Sequence, residues 1–312
     1  MIQTIGVFGA GTMGTNIAQE FAMKGFDVHL YSRKKETLDK SISIMKTGYN
    51  LLCEEGMLTK EEEEAALKRI TCTQSIEECA KGCDWVLETI VENKEAKKEL
   101  YEKLDEICPL DVIFTSDTSV LNIYEFMPER RLPNTLITHY FAPAHLMPLV
   151  ELVKGEQTRP ELVTEIKAIY DKMGKIAIVI EKVLPGFVVN RFQGILSREV
   201  YHLLDNNYIS PEDLDLAVKS TIMFRGIILG LVQRFDFTGL DQTYNSGKTP
   251  MVTPPTDRKC LQDLLDKGYL GVKNGHGFYD YSDRTTEEVL AERDKSLIDV
   301  WRTTEKYIRG HI

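Results

Sequence analysis

Three glycines near the start of the chain are spaced to hold a phosphate. Gly9, Gly11 and Gly14 stand in the run Gly9-Ala10-Gly11-Thr12-Met13-Gly14. Residues 2–8 before them read as a short buried strand, and a helical pattern follows through Met23. A Gly-x-Gly-x-x-Gly run between a strand and a helix points to a dinucleotide site. Gly9 permits the tight turn, Gly11 lets the backbone approach a pyrophosphate, and Gly14 lets the helix pack close on the strand. The helix start, with Thr12 and Met13 in it, offers free N–H groups and a partial positive charge to the anion. A second strand, Asp27–Tyr31, ends in Ser32-Arg33-Lys34-Lys35. A carboxylate at that strand end would hold the ribose 2′-hydroxyl of NAD. Ser32 takes its place, and a 2′-phosphate would meet Arg33. A unit charge pair at about 5 Å is worth roughly 3 kcal/mol at an effective dielectric of about 20, before solvent screening. The sign favours NADP. The basic run also suits a plain helix start, so the cofactor reading is NADP or NAD, with NADP ahead.

Four further segments carry polar groups suited to proton transfer. They are Ser116-Asp117-Thr118-Ser119, His139-Tyr140-Phe141-Ala142-Pro143, Leu149-Val150-Glu151 and Pro185-Gly186-Phe187-Val188-Val189-Asn190-Arg191. Each alone has a structural explanation. Together, in this order, they resemble the 3-hydroxyacyl-CoA dehydrogenase family. The resemblance spans nearly the whole chain and includes the segments VENKEAKK, FDFTGLDQ and GYLGVKNGHGFYDY. It implies a Rossmann domain, a helical dimerisation domain and a catalytic site in a cleft. It implies that His139 is the general acid or base, that Glu151 orients and charges it, and that Ser119 and Asn190 bind the substrate oxygen. Lys97 would lie near the nicotinamide ribose, with Glu92 a structural partner in the same loop. The chemistry suits these residue types. Oxidising a secondary alcohol removes a hydride from carbon, which the cofactor takes, and a proton from oxygen, which a neutral imidazole can take. A carboxylate on the other ring nitrogen fixes the tautomer and stabilises the imidazolium. The Pro-containing loop between His139 and Glu151 is long enough to set two strand ends side by side.

The chain also departs from the family pattern. Where members that use CoA thioesters often carry Lys-Lys-Gly-Lys, this sequence has Glu54-Glu55-Gly56-Met57. Two anions and a methionine make a poor polyphosphate handle. The usual Asn after the histidine–aromatic pair is Ala142, and the usual Asn in the serine motif is Asp117. Leu229-Gly230-Leu231 stands where Met-Gly-Pro is usual, preceded by Arg225, whose planar fork suits a substrate carboxylate. Arg225 and the run Pro148-Leu149-Val150-Glu151-Leu152-Val153 are closer to relatives that act on free hydroxy acids, such as gulonate or carnitine dehydrogenases. The expected function is therefore NAD(P)-dependent interconversion of a 3-hydroxyacyl group, as in 3-hydroxybutyryl-CoA, and its 3-keto form. A free hydroxy acid is the alternative substrate, and a non-catalytic nucleotide-binding structural protein the alternative class.

The elements that must position these groups follow from pattern. Strands are expected at residues 85–89, 112–115, 136–139, Leu149–Val153 and Ile176–Ile180. Residues 34–69 read as helical, with Glu61-Glu62-Glu63-Glu64 as a solvated face. Leu184-Pro185-Gly186 reads as a hinge between an α/β cofactor domain, residues 1–184, and an all-α domain, residues 185–312. Helices are expected at 188–206, 211–220, 261–267 and 285–312. The 312 residues suffice for two domains, and the net charge of −10 argues against a nucleic-acid partner. The six cysteines form no C-x-x-C pair and read as reduced thiols of a cytoplasmic protein. No signal peptide, membrane span or metal-ligand cluster is read. The expected partners are a small-molecule substrate and a second copy of the chain, with Leu297, Val300 and Trp301 in the last helix as candidates to extend the homodimer contact.

Overall fold

The segment Thr4–Phe8 (β1) is apolar on both faces, as a strand inside a parallel sheet must be. Ile5 and Val7 enter one buried cluster with Ile17, Phe21 and Trp85, while Phe8 enters another with Val86, Tyr101 and Phe114. In the computed structural model, which describes residues 2–246 and 259–309, β1 leads through the glycine turn into α1 (Thr12–Met23) and β2 (Asp27–Tyr31). There follow α2 (Lys35–Glu54), α3 (Lys60–Lys68), β3 (Ile70–Thr73), α4 (Ile76–Ala80), β4 (Trp85–Glu88), α5 (Lys94–Ile107), β5 (Ile113–Ser116), β6 (Thr135–Tyr140), β7 (Leu149–Val153), α6 (Pro160–Met173) and β8 (Ile176–Ile180). The eight strands form one sheet in the order β3-β2-β1-β4-β5-β6-β7-β8. Neighbours are parallel except β6 and β7, which are antiparallel. This is a Rossmann-type sheet, and β1, flanked by β2 and β4, marks the point where the strand order reverses.

Among the differences from the sequence reading, two concern the sheet edge and the acidic run. β3 is an added edge strand, short and half polar. Of the acidic run, Glu63 turns inward on α3, where its Oε2 accepts from Lys60 Nζ at 2.8 Å; Glu61, Glu62 and Glu64 are exposed.

The chain divides into two compact units, Met1–Ser197 and Arg198–Ile312. The division falls inside α7 (Val189–Asp205), beyond the Pro185-Gly186 turn. Phe192, Ile195 and Leu196 share an exposed face of α7. The second unit continues helical, with α8 (Pro211–Val218), a π-helical turn at Lys219–Met223, α9 (Phe224–Leu229), α10 (Gln233–Thr238), α11 (Leu240–Ser246), α12 (Lys259–Leu265) and α13 (Thr286–Arg309). Its hub is the buried Asp236, which accepts from Phe278 N at 2.7 Å, Tyr279 N at 3.0 Å and Tyr281 OH at 3.1 Å. That carboxylate ties the FDFTGLDQ and GHGFYDY segments together. Leu297, Trp301 and Cys260 lie outside the described side chains. Cys53, Cys72, Cys79, Cys83 and Cys108 are free thiols. Among the described residues no helix is long and apolar enough to cross a membrane, and no group of three His, Cys, Asp or Glu is placed to hold a metal ion.

Candidate active site

A cleft of about 370 Å³ opens at the carboxyl ends of β1, β2 and β4, walled by α5. The glycines explain its floor. A Cβ at Gly14 would stand 1.8 Å from the Gly9 carbonyl oxygen. At Gly9, with φ at 123°, it would stand 2.5 Å from the Thr89 carbonyl oxygen. Those two positions are glycine because the chain itself fills the space. At Gly11 nothing of the chain lies within 4 Å of such an atom. The missing side chain there leaves room for something other than protein. Gly11 is also the N-cap of α1 and makes no side-chain cap, so the N–H groups of the first turn, from Thr12 and Met13 on, remain for an anion. The residues present therefore suit a dinucleotide pyrophosphate.

Tyr31, Ser32 and Arg33 line the same cleft at the end of β2. Facing them from α5 are Lys103 and Glu99, paired at 2.8 Å. Sequence pattern did not single out either, because nothing local shows that α5 crosses the end of β2. Glu99 brings a carboxylate into a cleft that the β2 end alone would have left without one.

At the other end of the sheet edge, the antiparallel register of β6 and β7 sets His139 directly opposite Glu151. His139 Nδ1 lies 2.7 Å from Glu151 Oε2, and both side chains are buried. The second carboxylate oxygen, Oε1, accepts from Val188 N at 3.1 Å and Val189 N at 3.0 Å. Those N–H groups converge because Gly186 and Phe187 both take positive φ, 75° and 46°. For a phenylalanine that conformation costs about 1–3 kcal/mol. Phe187 is fully buried, and its ring centroid lies 5.4 Å from that of His139; Phe141 lies 4.6 Å away. With Glu151 accepting at Nδ1, a neutral imidazole would carry its proton there and leave Nε2 as an acceptor. Asn190 follows Val189 in the first turn of α7, so the chain turn that anchors Glu151 also sets Asn190.

A second buried network holds the loop after β5. Glu88 Oε1 receives Lys97 Nζ at 2.6 Å and Ile90 N at 2.7 Å; Oε2 receives Tyr101 OH at 2.9 Å and Ser116 Oγ at 2.6 Å. Lys97 also pairs with Glu92 Oε2 at 3.3 Å, so its ammonium is committed within the protein. Glu92 Oε1 accepts from Thr118 Oγ1, from Ser119 N at 3.1 Å and from Val120 N at 3.2 Å. Burial works against the charge of Glu92, but these donors and Lys97 outweigh it and hold the carboxyl below its ordinary range. Glu92 thus fixes the backbone of Ser119. Asp117 joins the two networks by accepting Tyr140 N at 2.8 Å, one residue past His139. Burial pushes its carboxyl well above the usual range.

The structure therefore brings His139, Glu151 and the backbone at the start of α7, next to Asn190, into one hydrogen-bonded group, and Ser119, Glu92 and Lys97, from the loops after β5 and β4 and from α5, into another. Arg225 belongs to the second unit, exposed on α9 with Nε 3.4 Å from the Thr221 carbonyl oxygen.

Comparison with known proteins agrees with this architecture. The family model for the 3-hydroxyacyl-CoA dehydrogenase NAD binding domain matches residues 4–183, and that for the C-terminal domain matches residues 186–281. The probable 3-hydroxybutyryl-CoA dehydrogenase of Bacillus subtilis is 34% identical over 292 residues, 91% of this chain and 99% of its own. The 5-formyl-3-hydroxy-2-methylpyridine 4-carboxylate 5-dehydrogenase of Mesorhizobium japonicum is 29% identical over 310 residues, 98% of this chain and 99% of its own. The crystal structure of a 3-hydroxyacyl-CoA dehydrogenase from Archaeoglobus fulgidus superposes with a TM-score of 0.78 at 26% identity, covering 98% of this chain and 99% of its own. The chain belongs to the 3-hydroxyacyl-CoA dehydrogenase family, nicotinamide-dependent oxidoreductases that act on CH–OH groups.

Proposed function

We propose that this protein interconverts a 3-hydroxyacyl group and its 3-keto form with NADP(H) or NAD(H), using His139 as the acid–base residue. The observation that carries this reading is the buried His139–Glu151 pair, 2.7 Å apart, with the other Glu151 oxygen saturated by two backbone donors. In the oxidative direction the substrate hydroxyl gives its proton to His139 Nε2 as the carbon gives up its hydride. A nicotinamide held in the nucleotide cleft would supply the acceptor for that hydride. Glu151 stabilises the imidazolium at the other ring nitrogen, and the developing charge on the substrate oxygen is met by donors from Ser119 and Asn190. In the reductive direction the same imidazolium returns the proton. The nucleotide end would hold the pyrophosphate at Gly9–Gly14, and Arg33, aided by Lys103 across the cleft, would meet a 2′-phosphate.

The thioester reading rests on family membership. A free hydroxy acid is a second reading with its own support. Glu54, Glu55, Gly56 and Met57 are all exposed at the end of α2, where members that use CoA thioesters often carry lysines, and two carboxylates there disfavour a polyphosphate. The Mesorhizobium relative is also named for a substrate bearing a free ring carboxylate. An activity screen with NADPH and NADH against acetoacetyl-CoA and a panel of free 3-keto acids separates them. Reduction of either class, with NADPH at least as efficient as NADH, is the expected result. No turnover of any keto compound by protein that binds cofactor normally would overturn the catalytic reading and favour a nucleotide-binding structural role.

A further inference from the structure

The ladder between β5 and β6 stops short of His139. Its last backbone partners are Ser116 and Ile137, two residues before the histidine. On its other edge β6 stays paired with β7 through Tyr140. The edge toward β5 is held there by a side chain instead. Asp117 is the first residue past β5, and its Oδ1 accepts from Tyr140 N at 2.8 Å. The Asp117 N–H donates to the Glu88 carbonyl at the end of β4, at 2.8 Å. Its Oδ2 lies 3.5 Å from Thr89 Oγ1. Thr89 lines the nucleotide cleft, and its carbonyl oxygen is the atom for which Gly9 leaves room. One residue thus joins the end of β6, the end of β4 and the wall of the cleft. Farther along, Lys175 Nζ clamps the loop after β6 by the Ala144 and Met147 carbonyls, at 2.5 Å and 2.7 Å. Asp117 serves the strand end between the ladder and that loop.

We propose that Asp117 is a positioning residue for proton transfer, its carboxyl group setting His139 against the cofactor cleft by holding the Tyr140 N–H. The inference rests on the dehydrogenase reading above, in which His139 moves the proton. Asp117 acts through the strand and touches no reacting atom. It stands where an asparagine is usual in the family. A carboxyl group that keeps its proton presents the same two functions as that amide, a carbonyl oxygen toward Tyr140 N and a donor toward Thr89 Oγ1.

The neighbouring charges explain why the proton stays. Glu88 from β4 and Glu92 from the loop after it share one ammonium, Lys97 of α5, at 2.6 Å and 3.3 Å. The other titratable groups facing Asp117, Tyr140 on β6 and Tyr170 on α6, are phenols that burial keeps neutral. A third carboxylate would find no uncommitted cation beside it among the described residues. Burial, with Glu88 and Glu92, holds the carboxyl well above its usual range, against the pull of Tyr140 N–H and Lys97. In the unfolded chain an aspartate ionises near pH 4, to about 3.9, while the folded group stays protonated. Wild type therefore loses stability as pH rises from that point, until the folded group ionises too. Asp117→Asn cannot ionise in either state and escapes that loss.

The test compares Asp117→Asn, which keeps an acceptor and a donor, with Asp117→Ala, which keeps neither, and repeats Asp117→Ala in a His139→Ala background. Asp117→Ala should lower kcat about tenfold, with KM and the NADPH dissociation constant within a few-fold, and Asp117→Asn should restore kcat to within about threefold of wild type. In the His139→Ala background the same Asp117→Ala change should cost less than about twofold, because the residue acts through the imidazole. An equal loss in both backgrounds, an unimpaired Asp117→Ala, or an Asp117→Asn as slow as Asp117→Ala would overturn the proposal. Melting curves answer without turnover, even where the alanine variant fails to fold. The Tm of Asp117→Asn should gain on wild type by about 5 °C between about pH 4 and pH 7, and a gap that does not widen contradicts the proposal. Near-normal turnover in His139→Ala alone removes the acid–base reading beneath the proposal, whereas an unimpaired Asp117→Ala beside an inactive His139→Ala removes only the positioning role.

Discussion

The two ends of the sheet edge are built on opposite principles. At the nucleotide end the work falls to backbone: glycines that admit no side chain, an uncapped helix start, and cations on exposed side chains, Arg33 and Lys103. At the proposed acid–base end it falls to buried side chains, His139 and Glu151, fixed by a strained turn at Phe187. Exposed charges are screened and each contributes little, whereas a buried hydrogen-bonded pair has no water to replace a lost partner. Substitution at the first end should therefore adjust selectivity, and at the second should stop chemistry.

The largest contrast is expected from Glu151→Gln. The variant loses the charge that stabilises the imidazolium and can hold the wrong tautomer. Turnover should fall roughly 10²-fold, within the usual range of acid–base effects, while cofactor affinity changes by no more than a few-fold. Steady-state rates beside a cofactor titration check this; turnover within a factor of about two of wild type would show that the pair is only structural. At the nucleotide end, Ser32→Asp with Arg33→Ala should shift the NADPH to NADH ratio in kcat/KM toward NADH by about tenfold or more, since about 1.4 kcal/mol is one decade. Lys103→Ala, whose cation is shared with Glu99, should move the same ratio by only about threefold. A wild-type ratio already strongly favouring NADH would remove Ser32 and Arg33 as the selectors and blur the contrast between the two ends.

What was legible in the sequence follows the same division. The strands that feed the site are apolar runs bounded by turns, and Asp27–Tyr31, Leu149–Val153 and Ile176–Ile180 have the bounds their pattern suggests. The His139–Glu151 pairing was implied by the family resemblance, and the Pro-containing loop between the two strands made it feasible. β3 was not, because Ile-Thr-Cys-Thr is short and half polar at a sheet edge. The inward turn of Glu63 escaped a reading of charge as surface. Most of what was missed depends on packing between distant elements. The Lys175 clamp on the Ala144–Met147 loop, the approach of Lys103 and Glu99 to Ser32, and the commitment of Lys97 to Glu88 arise only once helices are laid on the sheet. Phe187 had no local signal at all, since its neighbours suggested a hinge and its positive φ is set by the carboxylate that Val188 and Val189 must reach.

The central claim, that a buried imidazole moves the proton while the glycine end only holds the cofactor, is tested most directly by His139→Ala. Turnover of the best keto substrate and the NADPH dissociation constant would be measured on the same preparation. The expected result is a loss of turnover of at least about 10²-fold with cofactor affinity within a few-fold of wild type. Near-normal turnover in that variant would contradict the account.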